Sequence, residues 1–221
     1  MLKLAKLQFN PFGENTYILS NDSGEAMIID PGMSNQAEQQ KLSSFVEKNN
    51  LKPVMVVATH GHVDHVCGAL WAVNEYGVPF AMSAADNEVL TSNIGYASNM
   101  GFDMEEVPVV SVDLSKTDHL MLGDEKITVI PTPGHTSGGV SLYLEAQKIL
   151  ITGDTLFKES IGRTDLPSGD YKELMGSIMN NILPLGGDVM IFPGHGPDST
   201  LSSEAQYNPF VTDILEGNTK F

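Results

Sequence analysis

Positive charge is scarce in this sequence. Lysine and arginine together number 12 against 28 aspartates and glutamates, so the formal net charge is −16, and Arg163 is the only arginine. A nucleic-acid surface needs clustered Lys and Arg to bind phosphates, and this sequence does not supply them. We therefore expect no nucleic-acid partner, and we expect most carboxylates to form a solvated surface.

Cysteine and long apolar segments are scarce as well. Cys67 is the only cysteine, which excludes an internal disulfide and fits a reducing compartment. No segment approaches the roughly 18 uncharged apolar residues of a membrane span, and the amino terminus lacks the pattern of a secretion signal. These features predict a cytoplasmic protein with no membrane partner, in which Cys67 is a buried structural thiol rather than a ligand or nucleophile.

Apolar residues make up 41% of the 221 residues, and strand patterns alternate with helix patterns. Strands are predicted over residues 2–9, 16–20 and 26–30, as an antiparallel meander, and over 54–58, 127–131, 140–144, 148–152 and 190–192. Helices are predicted from Ser34, as N-cap, to about residue 48, over 68–76, from Asp170 to the residue before Pro184, and onward from Asn208-Pro209. Residues 84–106 are expected to form a helical flap over the site.

The same alternation predicts the architecture. No repeat, low-complexity tract or long linker divides the chain. We therefore expect one α/β domain over residues 1–221, built of two stacked sheets that are covered by helices.

The most informative segment runs from Thr59 to His65 and holds three of the six histidines and one aspartate. It follows the predicted strand 54–58, and on extended backbone the side chains of His60 and His62 leave the same face. Asp64 and His65 follow as the chain turns into a helix, so they can approach a neighbouring point from another side. Four such side chains exceed what one tetrahedral ion usually takes from one segment, which indicates two adjacent metal ions.

Each later strand end carries one more residue of the metal-ligand type beside glycine or proline. These residues are His135 after Pro133-Gly134, Asp154 after Gly153, and His195 after Pro193-Gly194. Loops at strand ends are where a scaffold places functional groups, and glycine lets the backbone approach an ion or substrate closely. His119 has no such setting, and we expect it to be a surface residue.

These five histidines and two aspartates offer nitrogen and oxygen ligands that suit zinc, iron or manganese, of which we expect zinc. We assign His60, His62 and His135 to one divalent ion and Asp64, His65 and His195 to the other, with Asp154 bridging both. Three terminal ligands per ion leave a position for a shared water, which ionises near neutrality and becomes a nucleophile. A zinc-stabilised binding module, the alternative without catalysis, would need those positions to be filled.

The His-x-His-x-Asp-His cluster, followed in order by His135, Asp154 and His195, resembles the metallo-β-lactamase superfamily, and within it the type II glyoxalase (hydroxyacylglutathione hydrolase) group. The resemblance spans most of the chain and implies an αββα four-layer sandwich of two mixed sheets, with the metals at one edge between them. It also implies that Asp30 supports the metal ligands from behind. Asp154 stands where the best-known antibiotic-hydrolysing subclass has cysteine, which argues against β-lactamase activity.

The segment from Ile161 to Pro167 resembles a glycine-arginine loop of small bacterial glyoxalase-II-like hydrolases and of related persulfide dioxygenases. Arg163 can brace this loop by pairing with Asp165, or it can contact an anionic substrate. Longer glyoxalase II enzymes hold glutathione with basic residues of a C-terminal helical extension. Here Lys220 is the only base after His195, which argues against this mode of glutathione recognition.

The sequence therefore predicts a binuclear metal-dependent hydrolase that cleaves a small-molecule thioester, such as S-lactoylglutathione, by attack of a metal-bridging hydroxide. Asp64 would orient the hydroxide, and Asp154 would hold both ions. Two alternatives stay open. One is a mononuclear iron persulfide dioxygenase that uses His60, His135 and Asp154, and the other is a lactone hydrolase with the same metals and a different pocket.

Overall fold

The computed structural model describes residues 1–217, so Lys220 lies outside the described residues. The amino-terminal half forms a six-stranded sheet, sheet 1, whose strands neighbour one another in chain order: β1 (Lys3–Phe9), β2 (Glu14–Ser20), β3 (Glu25–Ile29), β4 (Lys52–Val57), β5 (Phe80–Met82) and β6 (Val112–Asp113). Strands β1 to β3 form the predicted antiparallel meander, and β3 to β6 are parallel. Sheet 1 is therefore mixed.

The second half of the chain forms another six-stranded sheet, sheet 2. Its strands are β7 (His119–Leu122), β8 (Glu125–Pro131), β9 (Val140–Leu144), β10 (Ile149–Gly153), β13 (Met190–Pro193) and β14 (Ser199–Thr200), and a separate hairpin of β11 (Leu156–Phe157) and β12 (Ser160–Ile161) follows β10. The order across the sheet is β14-β13-β10-β9-β8-β7, with β10 and β13 parallel and the other neighbours antiparallel. The ends of β10 and β13 consequently lie side by side.

Helices cover the outer faces of both sheets. They are α1 (Gln36–Lys48), α2 (Val63–Val66), α3 (Ala69–Tyr76), α4 (Asn87–Tyr96), α5 (Tyr171–Ser177), α6 (Leu201–Tyr207) and α7 (Pro209–Leu215). Helix α3 ends at Gly77 in the left-handed conformation, as predicted. Within residues 1–217, no helix combines the length and the hydropathy that crossing a membrane requires.

Three apolar layers hold these elements together. Between the sheets, buried side chains of sheet 1 such as Leu19 and Ile29 cluster with Leu142 and Ile151 of sheet 2. Leu42 and Val46 of α1 and Ala72 of α3 pack on the outer face of sheet 1. Leu174 of α5, Leu201 of α6 and Val211 of α7 pack on the outer face of sheet 2. Because each sheet is apolar on both faces, the chain forms the predicted αββα sandwich.

Two helix boundaries differ from the prediction. The N-cap of α1 is Asn35, whose side chain accepts a hydrogen bond from the Glu38 amide, so the prediction of Ser34 was wrong by one residue. Ser34 instead donates its amide and its hydroxyl to the Glu38 carboxylate. Asn35 is the N-cap because the Glu38 carboxylate already accepts hydrogen bonds from Ser34. In a capping box, the glutamate at the third helical position accepts a hydrogen bond from the N-cap residue itself, whereas here it accepts from the residue before the N-cap.

The helix that begins after Asp170 also changes type before Pro184. Helix α5 ends at Ser177, a π-helical turn covers Ile178–Ile182, and a short 3-10 turn covers Leu183–Leu185. The predicted apolar stripe of Leu174, Ile178 and Ile182 is nevertheless buried. Wider turns keep these side chains on sheet 2 while the chain approaches a proline that cannot continue an α-helix.

Candidate metal centre

Sheet 1 delivers four of the predicted ligands through the loop after β4. Strand β4 lies between β3 and β5, and the chain leaves it through Thr59 into His60. His62 is the N-cap of α2, and Asp64 and His65 lie within that one-turn helix. The ring centroids of His60 and His65 are 4.2 Å apart, so the strand end and the short helix converge on one point.

Sheet 2 delivers the other three predicted ligands from three of its strand ends. His135 lies in the loop after β8, Asp154 directly follows β10, and His195 follows β13 after Gly194. Because β10 and β13 are parallel neighbours, Asp154 Oδ2 lies 3.7 Å from His195 Nε2. A Cβ atom at Gly194 would lie 2.3 Å from Asp154 Oδ1, so this close approach requires glycine.

Several sets of donor atoms lie within 4.8 Å of one another, and two of them divide six of the predicted ligands: group 1 is His60, His62 and His135, and group 2 is Asp64, His65 and His195. A third set, His60, His65 and Asp154, links the two groups. In group 1, His62 Nδ1 faces His135 Nε2 at 2.8 Å. In group 2, His195 Nε2 lies 3.0 Å from Asp64 Oδ2 and 3.2 Å from His65 Nε2. Each group therefore combines donors from both sheets.

Asp154 lies between the two groups. Its Oδ1 is 3.4 Å from His65 Nε2 of group 2, and its Oδ2 is 3.6 Å from His135 Nε2 of group 1. A carboxylate has two oxygens that can bind two different ions. The side chain of Asp154 thus occupies the position that a bridging ligand needs.

Hydrogen bonds behind the histidines fix which ring nitrogen faces the centre. The Nδ1 atoms of His65, His135 and His195 face, respectively, Asp30 Oδ2 at 3.1 Å, the Arg163 carbonyl at 2.8 Å and the Phe12 carbonyl at 3.2 Å. Since these oxygens only accept, each Nδ1 donates, so in the neutral form of each ring Nε2 carries the lone pair that faces the centre. Although burial opposes it, the charges of Asp154 and Asp64 raise the pKa of His65, so a bound metal would displace the Nε2 proton of that ring. His62 differs, because its Nδ1 is the nitrogen that faces His135.

The electrostatics favour the ligand-competent forms of several of these side chains. Burial raises the pKa of Asp154, but the charges of His65 and His135 more than offset it and leave the pKa below the ordinary carboxyl range. Burial, together with the neighbouring His135, lowers the pKa of His62 to about 4, and burial lowers the pKa of His60 well below its usual value. Metal ligands must be deprotonated, and at neutral pH these three side chains are.

Two buried atoms at the centre have no hydrogen-bond partner. They are His60 Nε2 and Asp154 Oδ1. Leaving buried polar atoms unpaired costs about 1–3 kcal/mol each, so native proteins rarely do so without a functional reason. A cation bound between the two groups would satisfy both atoms, and the donor set therefore fits divalent metal ions.

Asp30 lies directly behind this centre. Its carboxylate accepts hydrogen bonds from the Thr59 amide at 2.6 Å and from the Thr59 hydroxyl at 2.7 Å, and it faces His65 Nδ1. Asp30 is fully buried and has a positive φ of 51°. It therefore links the strand end that carries His60 to the ring of His65.

The sequence analysis also considered Arg163, His119 and Cys67, and the structure places all three. Two of the three guanidinium nitrogens of Arg163, Nε and Nη2, donate to the Asp165 carboxylate at 2.8 Å, so the side chain braces its own loop. The Arg163 carbonyl, which sequence reasoning did not consider, holds the ring of His135. His119 is exposed in β7. Cys67 is half-buried beside Val63 and Phe102, and its Sγ lies 3.9 Å from the main-chain carbonyl of Asp64.

Asp86 is a site residue that the sequence did not reveal. It is fully buried, and its carboxylate accepts hydrogen bonds from the Gly61 amide, the Thr136 hydroxyl and the Gly138 amide. It thereby connects the loop that carries His60 and His62 to the loop that carries His135. Its local sequence resembles an ordinary helix start, which gave no signal of this role.

A cavity of about 880 Å³ opens onto the donor groups. His62, Asp64, His135, Asp154 and His195 form its floor, and the walls include Phe12, Val89, Tyr96, Met100, Leu166 and Pro167. Helix α4, inside the predicted flap of residues 84–106, supplies one wall. The cavity is large enough for a small-molecule substrate.

The fold and this site identify the family. The chain belongs to the metallo-beta-lactamase superfamily, whose family model matches residues 9–195. That match includes both donor groups and Asp154. The His/Asp cluster and the membership together suggest a dinuclear metal site in a protein of the metallo-hydrolase type.

Individual relatives differ in what their names describe. The chain is 32% identical over 203 residues to the hydroxyacylglutathione hydrolase GloC of Haemophilus influenzae, a match that covers 90% of this chain and 93% of that one. Among solved structures, BLEG-1 B3 metallo-beta-lactamase superposes with a TM-score of 0.86 at 32% identity, covering 95% of this chain and 100% of that one. TTHA1623, in a di-iron-bound form, gives a TM-score of 0.83 at 30% identity, with coverages of 93% and 99%.

Proposed function

We propose that the protein is a binuclear metal-dependent hydrolase that cleaves thioesters, the class to which S-lactoylglutathione belongs. Group 1 would hold one ion and group 2 the other, and Asp154 would bind both. The position of the Asp154 carboxylate between the groups, 3.4 Å from His65 and 3.6 Å from His135, is the observation that carries this proposal. The GloC relative, named as a hydroxyacylglutathione hydrolase, supports the choice of thioesters.

Two divalent ions in this centre would lower the pKa of water to supply a nucleophile, and they would polarise the thioester carbonyl. The chain's own residues do the rest. Asp64 lines the cavity next to His195, where its carboxylate can orient the attacking water by accepting a hydrogen bond from it. The apolar wall of Val89, Tyr96 and Leu166 limits the access of other water.

We propose zinc for both positions, because nitrogen and carboxylate donors suit it. Iron and manganese suit the same donors, and the TTHA1623 relative was solved with two irons. Metal analysis of protein purified without added metal decides which metal is bound.

We further propose that residues 1–221 form one domain, since sheets 1 and 2 share an apolar core. We also propose that the enzyme acts on a small molecule in the cytoplasm, where its single thiol stays reduced.

Group 2 favours a hydrolase over the mononuclear iron dioxygenase. A facial triad of His60, His135 and Asp154 would leave Asp64, His65 and His195 without a role, although their donor atoms lie within 4.8 Å of one another. Metal count and oxygen uptake test the alternative. One iron per chain with oxygen consumption on a persulfide supports the dioxygenase, and two metals without oxygen consumption exclude it.

Replacing Asp154 tests the proposed hydrolase. Asp154→Ala removes the bridge, so we expect fewer than two metals per chain and a loss of thioester hydrolysis of about 10³-fold or more. The measurements are elemental analysis of the purified protein and release of thiol from S-lactoylglutathione and from thioesters of other thiols. Asp188→Ala, at an exposed aspartate, is the matched control and should keep both metals and activity.

Circular dichroism of both variants shows whether the fold is kept. A folded Asp154→Ala protein that hydrolyses thioesters at the wild-type rate would exclude this mechanism. Lactones and a β-lactam complete the substrate panel, the latter because of the similarity to BLEG-1. Faster turnover of either one than of every thioester would replace the thioester proposal while leaving the metal centre in place.

A further inference from the structure

The walls of the cavity carry few charges. Apart from the donor groups and Asp154, the charged side chains that line it are Glu88 and Arg163. Glu88 lies in the first turn of α4, with Ser92 one turn further along the same wall. The remaining wall residues include Phe12, Tyr96 and Met100, which are apolar or aromatic.

Arg163 is the cationic residue of the walls, and its charge is already paired with Asp165. Arg163 donates two hydrogen bonds of 2.8 Å to the Asp165 carboxylate, and its side chain is 60% exposed to solvent. A bidentate pair of this kind satisfies both charges. Among the residues that the structure describes around the cavity, no lysine is present.

Glu88, in contrast, is exposed on the wall. Its carboxylate adds a negative charge to the lining of the cavity, and the formal net charge of −16 adds to the negative potential around the opening. A carboxylate on the substrate would therefore meet repulsion from Glu88 and no unpaired cation on the walls. An apolar or cationic group on the substrate would not be repelled by Glu88 and needs no cation on the walls. The aromatic walls can also bury the apolar surface of the substrate.

We propose that the cavity selects thioesters whose thiol portion carries no negative charge, with Glu88 as the residue that determines this specificity. The inference rests on the proposed thioester hydrolysis and narrows its substrate class. Glutathione, which carries two carboxylates and one ammonium group, is on this basis a poorer thiol portion than an uncharged one. The preferred substrate is a thioester of an uncharged or cationic thiol with apolar groups near the sulfur.

Two substrates with the same acyl group test the proposal. S-lactoylglutathione presents an anionic thiol portion, and S-lactoyl-N-acetylcysteamine presents an uncharged one. The quantity measured is the ratio of kcat/KM for the anionic substrate to kcat/KM for the uncharged substrate. We expect Glu88→Lys, which reverses this partly screened charge, to raise the ratio by about tenfold. Glu88→Gln, which only removes the charge, should raise the ratio by a smaller factor.

Ionic strength provides an independent readout. In the wild type, added salt should raise kcat/KM for the anionic substrate by screening Glu88, and in Glu88→Lys this increase should be smaller because only the general negative charge of the protein is left to screen. Glu75→Lys is the matched control, because Glu75 is an exposed glutamate on helix α3 that does not line the cavity. We expect its ratio to stay within about twofold of the wild type, since distant surface charges are screened.

The possible results separate the two proposals. A ratio that Glu88→Lys leaves unchanged, or changes no more than Glu75→Lys does, overturns the specificity role of Glu88 while thioester hydrolysis stands. A wild-type enzyme that prefers S-lactoylglutathione to the uncharged thioester likewise overturns it. Absence of hydrolysis with both substrates, in protein that contains its metals, overturns the proposed function and this inference together.

Discussion

Asp30 shows how one residue can organise the centre without facing the cavity. Its two oxygens receive the Thr59 amide, the Thr59 hydroxyl and the Nδ1 side of the His65 ring. The Thr59 hydroxyl also lies 3.1 Å from His60 Nδ1, so one carboxylate orients donors of both groups. Carboxylates behind ligand histidines fix the ring orientation and increase the basicity of the ring nitrogen.

Asp30→Asn should therefore weaken metal binding without unfolding the protein. Asparagine accepts the left-handed backbone at this position, but its amide nitrogen cannot accept from Thr59 or His65. We expect metal affinity to fall by about 10–100-fold, as measured by competition with a chelator. Asp22→Asn, at an exposed aspartate, serves as the control. Unchanged affinity in folded Asp30→Asn would exclude a supporting role.

Cys67 should be a structural thiol with low reactivity. Burial raises the pKa of the Cys67 thiol, and Asp64 and Glu14 add negative charge nearby. A raised pKa means that the neutral thiol persists as the pH rises through the ordinary value of about 8.5, so the thiolate fraction stays small. We expect labelling by a disulfide reagent between pH 7 and 9 to be at least about 100-fold slower in the native protein than in urea.

Metal content gives the companion measurement for the thiol. Cys67→Ala should keep the same number of metals per chain, because among the described residues Cys67 belongs to none of the clusters of donor atoms and its sulfur donates only to the main-chain carbonyl of Asp64. Rapid labelling of the native protein, or loss of metal in Cys67→Ala, would contradict the structural role.

At the residue scale, the sequence indicates the predicted metal ligands better than it indicates the residues that hydrogen-bond to the loops carrying them. His135, Asp154 and His195 are recognisable because each follows an apolar strand in a glycine-containing turn. Asp86 carries no such mark, because its partners Gly61, Thr136 and Gly138 are 25 to 52 residues away. A role that depends only on distant hydrogen-bond partners leaves no local pattern.

At the scale of elements, Glu204 anchors the C-terminal helices. This residue of α6 is fully buried, and its carboxylate accepts hydrogen bonds from the Ser199 hydroxyl, from the Glu159 amide at 2.7 Å and from Asn208 Nδ2 at 2.9 Å. Glu159 belongs to the turn of the β11–β12 hairpin, Ser199 begins β14 and Asn208 caps α7. One side chain therefore joins four elements.

Glu204→Ala should consequently destabilise this end of the molecule. It removes the acceptor of the Ser199 hydroxyl and of the Glu159 amide, while Asn208 Nδ2 keeps the Ser160 carbonyl, and we expect the free energy of unfolding to fall by about 3 kcal/mol. Urea unfolding followed by circular dichroism measures the change. Gln206→Ala, at an exposed position of the same helix, should change stability by less than about 0.5 kcal/mol. Equal effects of the two substitutions would show that the network contributes little.

The sequence failed to indicate helix α6, strands β5 and β7, and the shortest strands of both sheets and of the hairpin. Strands β6, β11, β12 and β14 contain two residues each, which is too few for an alternating pattern to appear. Their pairing is fixed by neighbouring strands and not by their own composition. The π-helical turn after α5 is missed for a related reason, since a buried stripe at four-residue spacing fits an α-helix equally well.

At the scale of the whole molecule, the centre joins the two sheets. Sheet 1 supplies four of the seven donor residues and sheet 2 supplies three, and each group contains residues from both. The structure brings these distant residues close together because strand ends of stacked sheets meet at one edge, and their role as metal ligands stays a prediction. The order of strands within sheet 2 could not be predicted from the sequence, because the parallel pairing of β10 with β13 joins residues 41 positions apart, such as Ile149 and Met190.

Removing the metals should therefore lower the stability of the entire fold. A ligand that binds only the native state at 100 to 1,000 times its Kd adds about 2.7–4.1 kcal/mol per site, so chelation should lower the unfolding midpoint clearly. Differential scanning calorimetry before and after chelator treatment, with metal added back, measures the shift. Asp154→Ala should respond less. Identical midpoints for the chelated and reloaded wild type would show that metals do not bridge the sheets.

The split of each group between the sheets also determines when metal can be acquired. On the proposed assignment, the ion of group 1 needs His135 and the ion of group 2 needs His195, which lies near the end of the matched segment. During synthesis of the chain, the amino-terminal donors His60 to His65 emerge long before either of these partners. Loading is then completed on the assembled protein, so the identity of the bound metals reflects the supply available after folding.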